Sequence, residues 1–363
     1  MFVRMEPAKS LVINVVTWNS ARFLPDLFES LDRQTSRDFT VTVVDNASTD
    51  GTLAWLAEYR PDVTVLRNFR NQGFSRAHNQ AIALALARWD TDHDLARRTV
   101  FVLNPDIILH PDCVRELIAF MDAHPNADMC GPKLLRAVRV PSETGERDDI
   151  EQTNVIDSTG LVLRRTRQAA DRGAGEEDRG QYDAVEPFGV SGAALALRAS
   201  AIPALRIGDP AGNAGGTGEL FDEDFFAYKE DVDLCWRLRL LGRSAAFVPQ
   251  AVAWHHRAAR PSARRSIFAA WKEQRSRPPL LQLLSFRNQL WLEWKNDEAV
   301  NRLIHLPWIL AAAIVRLLSA LTNPTQIRAT AEAWLGRGKI RAKRKEMMAR
   351  RRSSAAEIRK WMV

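Results

Sequence analysis

Thr99-Val-Phe-Val-Leu-Asn-Pro-Asp106 is the stretch that decides how this chain folds. Thr99 to Leu103 reads as a buried strand, and the next three residues cannot continue it. Pro105 has no N–H to give a central ladder. A carboxylate at a core position costs several kcal/mol unless something pairs with it. The strand therefore ends at Leu103, and Asn104-Pro105-Asp106 sits just past its carboxyl end.

The same arrangement recurs on either side. Leu11–Val16, Phe39–Val44 and Val63–Leu66 are short apolar runs of strand type. Between and after them the spacing predicts helices: Asn19–Leu31, a segment opened by Thr49-Asp50-Gly51, Ser75–Arg88 and Pro111–His124. Strands alternating with helices imply an α/β fold, with a mostly parallel, twisted sheet covered on both faces. Ligands of such sheets bind outside the carboxyl ends of the strands. Here those ends carry Thr17-Trp18-Asn19, Asp45-Asn46-Ala47-Ser48, Asn68 to Phe74, and Asn104-Pro105-Asp106. Four polar ends on one sheet edge make a site. There is no Gly-x-Gly-x-x-Gly after the first strand and no Gly-Lys-Ser/Thr loop. A phosphorylated ligand would then need another counter-charge, and a divalent cation on Asp106 supplies one. Asp45 admits a structural reading as well, an Asx-turn. Asp50 reads as a helix cap.

Of the 363 residues, 46% are hydrophobic and 26% charged, as in a globular protein. Residues 1–20 show no secretory pattern. Cys113, Cys130 and Cys235 have no metal-type spacing and read as reduced thiols of a cytoplasmic protein. The net charge of +7 conceals an asymmetry: residues 257–363 hold 23 Lys+Arg against 7 Asp+Glu, a net +16, which leaves −9 for residues 1–256. A basic region on an acidic body points to an anionic partner, a membrane surface or a nucleic acid.

The segments Val15-Val-Thr-Trp-Asn-Ser20, Val43-Val-Asp-Asn-Ala-Ser-Thr-Asp-Gly-Thr52, Asn71-Gln-Gly-Phe-Ser-Arg-Ala-His-Asn79 and Leu103-Asn-Pro-Asp106 resemble the inverting family 2 glycosyltransferases, most of all their rhamnosyltransferase-like branch. The resemblance covers residues 10–260. It implies a GT-A fold and a nucleotide-sugar donor, dTDP-rhamnose or a UDP-sugar. It makes Thr17, Asn19, Asp45, Asn71, Gly73, Asn104 and Asp106 the donor-binding residues, with Asp45 on the pyrimidine and Asn79 near the same pocket. The family's Asp-x-Asp motif, which holds Mg²⁺ or Mn²⁺, is Asn104-Pro105-Asp106 here, so one carboxylate remains for the metal. His255 or His256 would close that site, His255 being preferred.

The second half brings the proton acceptor. Residues 231–241 read as a helix stopped by Gly242, with Asp231 and Asp233 in its first turn. Asp233 is assigned to an i,i+4 pair with Arg237. Glu230-Asp231 resembles the family's Glu-Asp motif, which makes Asp231 the catalytic base and places Glu230, with Gly192, at the acceptor. Gly189 and Gly192 would let a ligand approach the backbone. Asp106 and Asp231 should then face each other across the transferred sugar.

This gives a nucleotide-sugar-binding half (1–135), an acceptor and catalytic half (136–258) with variable loops at 139–184 and 206–219, the second a candidate lid, and a basic amphipathic helical tail (259–363). Six of the 11 Trp follow residue 257, and residues 337–352 hold nine cations beside Glu346 alone. Trp beside Lys and Arg on amphipathic helices suits an anionic membrane surface, here the inner face of the plasma membrane. The acceptor implied by the resemblance is a glycan or a polyprenyl-diphosphate-linked glycan. A sugar-1-phosphate nucleotidyltransferase and a nucleic-acid-binding protein are the alternatives. The first would need a basic Gly-rich loop after the first strand, and the second a nucleic-acid module, which the tail lacks.

Overall fold

A computed structural model describes residues 9–89, 95–141, 148–208, 218–256, 278–321 and 323–363. The first half is built as the apolar runs dictate. β1 (Leu11–Thr17), α1 (Leu24–Asp32), β2 (Phe39–Asp45), α2 (Thr52–Tyr59), β3 (Thr64–Arg67), α3 (Gly73–Trp89) and β4 (Thr99–Leu103) alternate along the chain. These four strands are parallel and lie in the order β3-β2-β1-β4. β4 is wholly buried and stops at Leu103, where Pro105 requires it to. The chain resumes beyond Asp106 as β5 (Ile107–Leu109), leads into α4 (Cys113–Ala123), and then enters β6 (Met129–Val140).

From there the sheet becomes mixed. β7 (Asp149–Ser158) runs antiparallel to β6, and β8 (Leu161–Leu163) with β9 (Ala169–Asp171) forms a separate two-stranded sheet. The described part of 139–184 is thus strand and ordered turn rather than one variable loop. β10 (Ala194–Arg198) enters antiparallel between β4 and β6. After α5 (Ile202–Leu205) and α6 (Glu230–Leu240), β11 (Ala245–His256) pairs parallel with β6 and antiparallel with β5. The nine-stranded sheet is continuous, and the expected boundary at 135 falls inside β6. Of the expected lid at 206–219, residues 209–217 lie outside the described residues; its ends are joined by a bridge from Ile207 to Glu219.

Alternation along β1 sends Leu11, Ile13 and Val15 to one core with α1 and α4, and Val12 to the other. The second core holds α3, α6 and also Trp291, Leu292, Ala333, Ile340, Met347, Ile358 and Met362. These belong to α7 (Pro279–Asn296), α10 (Pro324–Ala349), α11 (Ala355–Arg359) and the final residues; α8 (Ala299–Ile304) and α9 (Leu306–Leu321) lie between. The described part of 259–363 is helical, as expected, yet it is part of the second core rather than an appended tail.

The basic run needs a matching correction. Lys343 pairs with Glu219 at 3.1 Å, Asp222 at 2.5 Å and Asp224 at 2.8 Å. Arg344 donates to the carbonyls of Trp294, Lys295 and Asp297 at the end of α7. Arg351 pairs with Glu298 at 2.8 Å. Lys343 thus meets acids of the body, while Arg344 and Arg351 meet groups of the helical region itself.

Candidate active site

The loops after β1 and β2 are tied together by residues singled out in the sequence. Thr17 Oγ1 donates to Asp45 Oδ1 at 2.9 Å. Asp45 also accepts from Ser48 Oγ at 2.5 Å and from Ser48 N at 3.0 Å. It is fully buried, and its bonds to Ser48 form the turn that its structural reading describes. Asn19, with φ 54°, accepts from Thr49 N at 2.8 Å and donates from its own N to Ser48 Oγ. Asp50 accepts from Thr52 N and from Ala21 N, the capping expected of it.

The third strand end is built differently. Asn71 Oδ1 accepts from Gly73 N at 2.8 Å and so caps α3. Gly73 has φ +80°, and a Cβ there would lie 2.4 Å from the Phe226 carbonyl oxygen. Only glycine fits, because the loop before α6 presses against it. Asn79 belongs to the same contact: it donates to Phe221 O and accepts from Phe221 N. Asn46, which the sequence left without a role, links these loops by donating to Gly73 O and accepting from Asn68.

At the fourth end, Asn104 N donates to Ala193 O at 2.9 Å. Asp106 lies against β11. Its carbonyl accepts from His256 N, and its carboxylate stands 3.3 Å from His255 Nε2. The other ring nitrogen of His255 meets Asp157 Oδ2 at 2.8 Å. Burial opposes a charge on His255, but Asp106 and Asp157 outweigh it and push its pKa up to about 9. His256 faces elsewhere, with Nε2 3.4 Å from Asp26 and its ring against Phe23. Burial, reinforced by Arg139, holds its pKa down to about 4. Of the two candidates, His255 is the one whose ring meets the Asp106 carboxylate. Asp157 was missed because its segment read as a variable loop.

These residues suit a divalent cation in part. A histidine backed by a carboxylate is oriented to offer its far nitrogen as a ligand. Among the described residues no group of three His, Cys, Asp or Glu gathers for a metal. A cation at Asp106 and His255 would have to complete its shell from oxygens of the donor diphosphate, and it would exclude a proton from Nε2.

On the other side of the same segment stands Asp231. Gly192 N donates to Asp231 Oδ2 at 3.0 Å, and Val232 N to Oδ1 at 2.8 Å. A Cβ on Gly192 would lie 3.0 Å from Asp231 Cβ, and one on Gly189 would lie 2.3 Å from Cys235 Sγ. Both glycines permit close approach, as expected, but what approaches is α6 rather than a ligand. The dipeptide Gly192-Ala193 thus binds Asp231 through its first residue and Asn104 through its second, which brings the two expected halves of the site together. Glu230, expected at the acceptor, is buried instead. Burial first, and Asp231 second, push its carboxyl up to about 8. At neutral pH it is mostly protonated, and so adds little negative charge beside Asp231.

The turn that delivers Asp231 is held by groups invisible in the local sequence. Phe226, Tyr228 and Lys229 all have positive φ, at 66°, 71° and 74°. Asn288 on α7, fully buried, donates to the carbonyls of Phe225, Ala227 and Tyr228 at 2.8, 2.9 and 2.8 Å. One turn into α6, Asp233 meets Arg237 as predicted, and also Lys295 Nζ at 2.8 Å and Asn296 Nδ2 at 2.8 Å. Lys295 reaches Asp222 at 2.6 Å as well. Burial works against charge on Asp222, but Lys295 and Lys343 hold its carboxyl below the usual range.

Residues 12–154 match the family described as Glycosyl transferase family 2. This chain is a glycosyltransferase with a family 2 region at residues 12–154. That removes the nucleotidyltransferase alternative. The glycosyltransferase is 29% identical over 251 residues to the N-acetylglucosaminyl-diphospho-decaprenol L-rhamnosyltransferase of Mycobacterium tuberculosis, covering 68% of this chain and 76% of that one. It superposes on S. aureus TarS 1–349 with TM-score 0.48 and 15% identity, covering 97% of this chain and 91% of that one. It superposes on the mannosyltransferase PcManGT from Pyrobaculum calidifontis, solved with GDP-Man and Mn²⁺, with TM-score 0.46 and 16% identity, covering 95% and 86%. Likenesses this loose add nothing to the assignment, which rests on the family match and the sheet-edge geometry.

Proposed function

We propose that this glycosyltransferase moves L-rhamnose, with inversion, from dTDP-rhamnose to a polyprenyl-diphosphate-linked glycan in cell-surface polysaccharide synthesis, working at the anionic inner face of the plasma membrane. The donor and acceptor classes are supported by the mycobacterial relative, whose name gives a rhamnosyl transfer to a lipid-linked N-acetylglucosaminyl diphosphate. The nucleotide lies along the ends of β1 to β3, on the loops shaped by Thr17, Asn19, Asp45, Asn71 and Gly73. Asp106 and His255 would hold a divalent cation, Mg²⁺ or Mn²⁺, and it would offset charge on the diphosphate. Asp231 takes the proton from the acceptor hydroxyl while that oxygen attacks the anomeric carbon. The nucleoside diphosphate departs from the opposite face, so one displacement inverts the centre.

The observation that carries this reading is the position of Gly192-Ala193, bonded to Asp231 on one side and to Asn104 on the other. Asp231→Asn keeps the shape and removes the basic oxygen. It should cut turnover by about 10²–10⁴-fold and leave calorimetric donor affinity unchanged. Near-normal turnover would remove Asp231 as the base. Asp106→Ala should abolish the divalent-dependent part of donor binding, and an unchanged metal titration would reject its role.

A further inference from the structure

α9 is Leu-Pro-Trp-Ile-Leu-Ala-Ala-Ala-Ile-Val-Arg-Leu-Leu-Ser-Ala-Leu, and it is covered by protein along one narrow stripe only. Ile309, Ala312, Arg316, Ser319 and Ala320 are partly covered; no described side chain of the helix is fully buried. Leu306, Trp308, Leu310, Ile314, Leu317 and Leu318 are 42–63% exposed. At 100° per residue, the exposed positions sweep roughly 220° of the helix circumference. Leu303 and Ile304, at the end of α8, extend this surface at 72% and 48% exposure.

The width of that arc identifies the occupant. A rigid protein partner covers one face of a helix, whereas a fluid lipid phase closes round the sides as well. Charge agrees with lipid. No Asp or Glu occurs between Glu298 and Glu332. The exposed Arg165 lies over the Trp308 ring at 5.1 Å, and Arg328, paired with Glu332 at 3.0 Å, keeps 75% of its side chain in solvent. An apolar body with an aromatic residue and cations at its edge matches the boundary between acyl chains and anionic headgroups. Among the described residues no helix is long and apolar enough to cross a membrane, so α9 would lie in the interface rather than span it.

We propose that α9 is the element that seats this enzyme in an anionic bilayer, parallel to the membrane plane, with Arg165 and Arg328 at headgroup level. This deepens the membrane reading above by moving it from the polybasic run to the apolar helix. It is testable without donor or acceptor, so failure here and failure of the transfer reading are separable.

The test is flotation of the full chain with phosphatidylglycerol–phosphatidylcholine vesicles. The expected result is binding that Ile314→Glu/Leu317→Glu reduces by about tenfold or more, with an unchanged thermal melt because both side chains are already exposed. Brominated lipid should quench fluorescence of the wild type more than that of Trp308→Phe. Binding that high salt abolishes completely, or that the double variant retains, would overturn the proposal. So would a wild type that ignores vesicles but forms a concentration-dependent dimer which the double variant loses, since a second copy would then be the occupant.

Discussion

α7 and α9 lie in the same basic region and treat their side chains in opposite ways. α7 buries a lysine: Lys295 is 0% exposed, between Asp222 and Asp233. α9 exposes its leucines and has no fully buried residue among those described. In an ordinary surface helix the charges face water and the apolar stripe faces the core. The contrast shows that charge content and hydrophobic content alone do not say which residues hold a fold together. Here cations fasten the region to the catalytic half, and hydrophobic residues are left for something outside the chain.

The sharpest way to break this contrast is to remove the buried charge and add an exposed one. Lys295→Met keeps the bulk and removes the charge, leaving two buried carboxylates with one partner fewer. Removing one member of a buried ionic group costs about 3–5 kcal/mol. Urea unfolding should show that loss. By the usual rule the larger penalty would come from altering a hydrophobic helix, yet Ile314→Glu on α9 should change stability by no more than about 0.5 kcal/mol. Equal stabilities for the two variants would refute the contrast. Truncation at residue 337 would be a poor substitute, because it strips Ile340, Met347, Ile358 and Met362 from the second core.

The same contrast separates what the sequence disclosed from what it hid. The strand ends were legible because their chemistry is local. Asp45 bonds Ser48, Asn71 bonds Gly73, and Pro105 stops β4 within one turn of chain. The place of Asp231 in the first turn of α6 was legible from helical spacing. The partners of these groups were not, because the sheet order creates them. β10 and β11 enter between and beside strands laid down far earlier, and that insertion joins Gly192-Ala193 to Asn104 and His255 to Asp106 and Asp157. The charge asymmetry was read with the right sign, but the acids that meet Lys343 lie in 219–224, over a hundred residues upstream, where no periodicity predicts the pairing.

Asn288 gives the most selective probe, with an expected effect on folding below that of Lys295→Met. Its amide holds three carbonyls of the turn that carries Phe226, Tyr228 and Lys229 at positive φ, a conformation each of them resists. Residues held this way persist only while their surroundings enforce them. Asn288→Ala should release the turn, cost about 1–3 kcal/mol of stability, and lower kcat by roughly tenfold through misplacement of Asp231. Donor affinity should fall less than kcat, because the loops after β1 and β2 do not touch this turn and only the Gly73 loop packs against it. Asn288→Asp should be worse than alanine: it keeps the shape but turns an acceptor oxygen toward carbonyl oxygens. A variant with a lower melting temperature and an unaltered kcat would reduce Asn288 to scaffold. A fall in kcat larger than any change in KM for the donor would establish that the basic helical region shapes the catalytic turn as well as anchoring it.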